Sequence, residues 1–109
     1  NSAMTETDCI TTILYGREAL ASSPDIICLG EAGIGNTTIA SSICAALYGG
    51  NTSDWVGIGT GADKEMIKTK IQVIEKSLKL HKSREPMKIL QCFGGREFAA
   101  IFGAKNGSF

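Results

Sequence analysis

A single carboxylate, Glu31, lies inside a glycine-rich segment that is typical of a phosphate-binding loop. An apolar run over residues 25–30 leads into this segment, and a helix-forming stretch begins at Asn36. A strand, a flexible turn and a helix N-terminus in this order present backbone N–H groups and the positive end of a helix dipole to an anion. The segment therefore predicts a phosphate site with a carboxylate beside it.

The spacing from Gly30 to Thr37 is close to that of the P-loop, which binds nucleoside triphosphates, but position 36 differs. The P-loop has a lysine there, which contacts the β- and γ-phosphates, whereas this sequence has Asn36. A neutral amide binds a triphosphate more weakly than a cation does. The loop thus favours a single phosphate monoester, with a purely structural strand-to-helix turn as the alternative.

A second glycine cluster, Gly57-Ile58-Gly59-Thr60-Gly61, precedes another predicted helix. Because no strand comes before it, a dinucleotide-binding fingerprint is disfavoured, and a second anion-binding turn stays open. Lys70 is set apart from the other lysines of that helix because it is adjacent in sequence to Ile71, a predicted core residue. His81, the sole histidine, lies in a basic run and fits a solvated surface role better than catalysis.

Length and charge limit the class of protein. A chain of 109 residues forms one domain at most. Its net charge is zero. The charge is uneven, since six of the seven charged residues up to Thr60 are acidic, whereas ten of the fifteen from Gly61 onward are basic. A nucleic-acid-binding domain usually has an overall basic balance with interleaved aromatics, so this class is disfavoured. No apolar run reaches the length of a membrane span.

The four cysteines, Cys9, Cys28, Cys44 and Cys92, are widely spaced and form no CxxC pair. Zinc sites and disulfide frameworks use closer, paired spacing, so we expect no metal, no disulfides and a reducing, cytoplasmic location.

Hydrophobic periodicity predicts a mostly helical α/β chain with about five helices and one clear strand over residues 25–30. Thr5, Asn36 and Asp63 are predicted N-caps, and Pro86 is predicted to start the fourth helix. A lone strand needs a partner for its backbone groups, so we expect self-association or membership of a larger sheet.

Three segments are predicted along the chain. Residues 1–3, which precede Met4, are typical of a cloning remnant, and residues 4–103 form the domain. Residues 104–109 carry no helix or strand signal and are predicted to be a disordered tail.

Together these motifs resemble the nicotinate-nucleotide–dimethylbenzimidazole phosphoribosyltransferases of the cobalamin pathway. The likeness runs from about Thr5 to Gly103 and covers a middle portion of the family's length. Its blocks are Gly30-Glu31-x-Gly33-Ile34-Gly35-Asn36-Thr37-Thr38, then Gly57-x-Gly59-Thr60-Gly61-x-Asp63, then Lys70 and Ile74, then Gly94-Gly95-x-Glu97 with Ala99-Ala100.

The resemblance implies transfer of ribose 5-phosphate from nicotinate mononucleotide to 5,6-dimethylbenzimidazole, with release of nicotinate. It also implies a Rossmann-like three-layer α/β fold, a homodimer and no metal or other cofactor. By position, Glu31 would lie near the reacting base and ribose as the catalytic carboxylate. The remaining site residues implied for the nucleotide and its phosphate are Gly33, Gly35, Asn36, Thr37, Thr38, Gly59, Thr60, Gly61 and Lys70.

Two departures from the family pattern shape the expected activity. Ala32 replaces the usual methionine, and the family's late glutamate, taken to be the general base, has no counterpart in these 109 residues. We therefore expect a truncated phosphoribosyltransferase that is inactive alone. A non-catalytic mononucleotide-binding or phosphate-binding module and a P-loop-like nucleotidase are the alternatives.

Overall fold

The structure is a computed structural model that describes residues 1–20, 24–57 and 63–107. Within these ranges the chain is helical, and the sequence-based expectation of a predominantly helical chain is met. The helices are α1 (Glu6–Glu18), α2 (Asn36–Tyr48), α3 (Thr52–Trp55), α4 (Lys64–Leu80), α5 (Pro86–Phe93) and α6 (Arg96–Gly107).

The strand predicted over residues 25–30 is wrong, and so is the Rossmann-like three-layer α/β fold. The described residues contain no strand. A β-strand requires a neighbouring strand for its backbone N–H and C=O groups, and none of the described residues provides one. Ile26 is 83% exposed and Leu29 46% exposed, so the apolar run is not buried in a sheet. The run was apolar enough for a strand, but periodicity does not specify a pairing partner.

The N-caps of α1 and α4 are those that the sequence predicts. The hydroxyl of Thr5 accepts a hydrogen bond of 3.1 Å from the backbone N–H of Asp8. The carboxylate of Asp63 accepts one of 2.8 Å from the N–H of Met66. Such caps contribute about 1 kcal/mol each because they satisfy donors that have no partner inside the helix. Pro86 also occupies the first position of α5, as predicted.

Helices α1 and α6 pack closely along most of their length, and this pair anchors the fold. Glycines allow the approach, because a Cβ on Gly16 would collide with the carbonyl oxygen of Ala100 and one on Gly103 with that of Ile13. Met4, Cys9 and Ala99 form the buried cluster beside this contact, with Ile13 and Leu90 packed against it.

Helix α6 and a backbone contact near the N-terminus include residues that were predicted to lie outside the domain. Helix α6 extends to Gly107 and thus includes most of the segment expected to be a disordered tail. It does so because Gly103 and Ala104 are buried, with Gly103 packed against α1. At the other end, the backbone N–H of Ala3 donates to the carbonyl of Cys92, at 3.1 Å. A cloning origin for residues 1–3 is not tested by this contact.

Candidate functional site

The N-terminus of α2 carries no protein cap. The sequence predicts Asn36 as its N-cap, but the helix begins at Asn36 and the cap position belongs to Gly35, which has φ 82° and no side chain to accept a hydrogen bond. A left-handed conformation of this kind suits glycine. The carbonyl of Gly35 accepts from the N–H groups of Thr38 and Ile39, at 3.0 and 3.1 Å. These bonds leave the first N–H groups of α2 pointing out of the helix end.

The first turn of α2 also lacks acidic residues, whereas α1 and α4 each have them there. A carboxylate in the first turn normally offsets the positive end of the helix dipole. The N-terminus of α2 is thus the one among these three where neither a side-chain cap nor a carboxylate competes with an external anion.

Lys70 of α4 reaches this helix end. Its Nζ donates a hydrogen bond of 3.1 Å to the hydroxyl of Thr37, across 33 residues of sequence. Lys70 is half-buried on α4, which packs beside α2, and its hydrogen bond to the exposed Thr37 lies at the surface. The family resemblance implied that Lys70 and Thr37 belong to one site, but the direct hydrogen bond between the two side chains was not predicted from the sequence.

The glycine loop lies directly on the Asn36 side chain. A Cβ on Gly33 would come within 2.6 Å of Asn36 Nδ2, so a larger residue there would displace the Asn36 side chain or the loop. The Nδ2 group is buried and has no hydrogen-bond partner in the described part of the chain. An amide that is buried without a partner costs free energy, which a hydrogen bond to a ligand would recover.

Other site residues proposed from the sequence differ in where they lie. Glu31 is exposed in the loop before α2 and, among the described residues, forms no hydrogen bond or ion pair. Thr38 lies in the first turn of α2, half-buried. Gly59, Thr60 and Gly61 lie outside the described residues, so their predicted part in the site is untested.

The groups at the N-terminus of α2 are suited to binding an anion of low charge, such as a single phosphate. The Lys70 ammonium and the Thr37 hydroxyl meet at the N-terminus of α2, and the buried Asn36 amide lies in the same turn of the helix. Charge-assisted hydrogen bonds from lysine and from helix N-termini are the usual means of holding a phosphate. Glu31 is exposed on the loop of this site, where it is open to solvent and to a ligand.

The described residues form neither a metal-binding cluster nor a membrane-spanning helix. In residues 1–20, 24–57 and 63–107, histidine, cysteine and acidic side chains do not gather into a group of three or more that could bind a metal ion. Across those same ranges, every helix is too short or too polar to cross a membrane.

Comparison with known proteins gives a consistent result. A family model described as phosphoribosyltransferase matches residues 1–108. A nicotinate-nucleotide–dimethylbenzimidazole phosphoribosyltransferase from Rhizobium rhizogenes strain K84 is 50% identical over 104 residues, which is 94% of this chain and 31% of that protein. Relatives with the same name from Rhizobium leguminosarum bv. trifolii and Sinorhizobium fredii are 50% and 46% identical over 105 residues, with the same coverage. The chain thus spans about a third of the length of these curated relatives. No solved structure matches it.

Proposed function

The chain belongs to the phosphoribosyltransferase family, and from this premise we propose that it provides the phosphoribosyl-binding part of an enzyme acting on nicotinate mononucleotide and 5,6-dimethylbenzimidazole. In the proposed reaction, ribose 5-phosphate leaves nicotinate and is transferred to the benzimidazole nitrogen. The relatives are named for a nicotinate nucleotide and dimethylbenzimidazole, and the proposal assigns both substrates to this chain as well.

The hydrogen bond between Lys70 Nζ and Thr37 Oγ1 is the observation that best supports this proposal. It brings the cation of Lys70, on α4, to the uncapped N-terminus of α2. One lysine beside one helix end matches the charge of a phosphate monoester better than that of a triphosphate. The site is therefore better suited to a mononucleotide than to the triphosphate that a P-loop-like nucleotidase would bind.

Glu31 is proposed to act on the sugar rather than on the phosphate. Positive charge develops on the ribose as its bond to nicotinate breaks, and a nearby carboxylate stabilises that charge. A carboxylate in contact with the phosphate would instead repel it. The exposed position of Glu31, on the loop that leads to the phosphate-binding helix end, supports this division of roles.

The reaction also needs a base to accept the proton of the benzimidazole. The 109 residues contain no counterpart of the family's late glutamate. We therefore propose that these residues alone bind the mononucleotide without turning it over, which is the behaviour of the non-catalytic binding module considered above. Homo-oligomerisation, a cytoplasmic location and the absence of a cofactor stay predictions of this proposal.

Phosphorus-31 NMR tests the proposal. Titration of the purified chain into nicotinate mononucleotide is expected to shift and broaden the phosphate resonance. Asn36→Ala should reduce this effect, because the amide lies at the phosphate-binding helix end, whereas Glu31→Ala should leave it in place. A resonance that does not move at excess protein contradicts the proposal. Formation of α-ribazole phosphate by the chain alone would contradict the predicted lack of turnover and leave the binding assignment intact.

A further inference from the structure

A cavity of about 280 Å³ lies where the C-terminal ends of α2 and α4 meet the segment that connects α4 to α5. Its apolar wall is formed by Ala45, Ala46 and Leu78. Residues 81–84, which are a histidine, a lysine, a serine and an arginine, form its polar wall. None of the described residues that line the cavity is acidic. The cavity thus combines an apolar surface with a source of positive charge.

We propose that this cavity binds a small organic monocarboxylate, with the carboxylate against Lys82 and Arg84 and the apolar body against the α2 and α4 side chains. The cavity is separate from the phosphate site, because it lies about 16 Å along the axis of α4 from Lys70. The proposal goes beyond the phosphoribosyl function and does not depend on it.

The two cations of the cavity are free to bind a ligand. Lys82 and Arg84 have no ion-pair partner in the ranges that the structure describes. Glu85, the acidic residue next in sequence, lines a different cavity together with Glu6 and Lys88. The guanidinium of arginine presents its N–H donors in a geometry that matches a carboxylate. Lys82 and Arg84 therefore offer two charge-assisted contacts to a carboxylate in the cavity.

The other two polar residues, His81 and Ser83, are half-buried and held by contacts to the protein. The His81 ring packs edge-on against the buried Phe93, with 5.6 Å between the ring centroids. The Ser83 hydroxyl accepts a hydrogen bond of 3.2 Å from the backbone N–H of Glu85, so its own proton is left to donate to a ligand. These contacts restrain the segment that carries the two cations, which lowers the entropic cost of binding.

The charge balance of the cavity favours a carboxylate over a phosphate. The C-terminal ends of α2 and α4 each contribute roughly half a negative charge through the helix dipole. Lys82 and Arg84 contribute two positive charges, which leaves an excess of about one positive charge. A carboxylate carries one negative charge, whereas a phosphate monoester carries about 1.5 to 2 near neutral pH. A monocarboxylate is therefore the anion that the cavity neutralises most closely.

Nuclear magnetic resonance of the ¹⁵N-labelled chain tests the proposal, with benzoate as the probe and benzamide as its uncharged counterpart. Benzoate is expected to shift the backbone resonances of Gly49 and Ser83 and to leave those of residues 33–38 unchanged. Benzamide should bind ~10-fold more weakly, because it lacks the charge that Lys82 and Arg84 would contact. Equal affinities for the two compounds, or benzoate shifts at residues 33–38 in place of Gly49 and Ser83, would overturn the proposal.

Substitution of the cations provides a second measurement. The double variant Lys82→Gln with Arg84→Gln should bind benzoate ~10-fold more weakly and benzamide equally well. Both side chains are exposed, so circular dichroism should show an unchanged fold. Lys79→Gln is the matched control, because Lys79 is an exposed lysine in the last turn of α4 that does not line the cavity. An equal loss of benzoate binding in the control would contradict a defined site.

Inorganic phosphate distinguishes between the two kinds of anion. At constant ionic strength, phosphate should displace benzoate only at a concentration well above that of benzoate itself. Displacement at comparable concentrations would identify phosphate as the better ligand and contradict the assignment to a monocarboxylate.

Discussion

Lys70 Nζ lies 3.1 Å from Thr37 Oγ1 and donates a hydrogen bond to it, which joins the middle of α4 to the first turn of α2. The contact places a cation at a helix N-terminus that has neither a side-chain cap nor a carboxylate in its first turn. Because both features attract anions, their effects on a bound phosphate add at one point. Removing the Lys70 charge or disturbing the N-terminus of α2 is therefore expected to weaken phosphate binding.

Replacing Lys70 by methionine should weaken binding of nicotinate mononucleotide ~10-fold, since a charge-assisted hydrogen bond is lost while the aliphatic stem is kept. Isothermal titration calorimetry of the variant measures the change. Lys68→Met is the matched control, because Lys68 is an exposed lysine on the same helix. Equal losses in the two variants would show that only the general positive charge of α4 matters.

Replacing Gly33 by alanine should also weaken mononucleotide binding, with the helical content unchanged. The new methyl group would meet Asn36 Nδ2 at 2.6 Å, so the loop or the Asn36 amide proposed for the site must shift. Gly30→Ala, in the same loop, is the control because a Cβ there would contact nothing within 4 Å. Calorimetry for binding and circular dichroism for fold separate the two effects. Unchanged affinity in Gly33→Ala would contradict the assigned loop geometry.

The packing of α1 against α6 predicts a stability effect far from the phosphate site. Gly103→Ala should lower the free energy of unfolding by about 1–3 kcal/mol, because the added methyl group collides with the Ile13 carbonyl and forces the helices apart. Urea denaturation measures this, with Gly57→Ala as a control whose Cβ would lie in open space. A variant at Gly103 as stable as the control would show that this close approach is absent in solution.

The cysteines should differ in their reactivity toward a thiol reagent. Burial raises the pKa of the Cys9 thiol above its usual value, and its side chain is 2% exposed. The thiolate is the reactive form, so Cys9 should be the last cysteine to react. Because Cys28 is exposed and Cys9 is buried, Cys9 should react more slowly than Cys28 even at alkaline pH. Mass spectrometry of the folded chain during iodoacetamide labelling checks the order. Labelling of Cys9 before Cys28 would contradict the burial of Cys9 in the cluster with Met4 and Ala99.

The sequence predicted local features of the fold well where short-range chemistry determines them. Thr5 and Asp63 are caps because a hydroxyl or carboxylate reaches an N–H three residues ahead, and this depends on a few neighbouring residues. The segment at residues 25–30 was mispredicted because a strand depends on a distant partner that the apolar pattern does not identify. The extension of α6 to Gly107 likewise depends on contact with α1.

The residues of the candidate site could be proposed from the sequence, but their arrangement in space could not. Glycine spacing indicated an anion-binding loop, and the structure places its residues at the start of α2. The pairing of Lys70 with Thr37 depends on how α4 packs beside α2, which sequence spacing alone does not encode. The unpartnered amide of Asn36 could also not be foreseen, because it results from the approach of the Gly33 backbone.

The most direct test of the central claim compares nicotinate mononucleotide with nicotinate riboside, which lacks the phosphate, in calorimetric titrations of the purified chain. The account predicts measurable binding of the mononucleotide and at least ~10-fold weaker binding of the riboside, because Lys70 and the N-terminus of α2 contact the phosphate. Equal affinity for the two compounds, or no binding of the mononucleotide, would contradict the assignment of this helix end as the phosphate site.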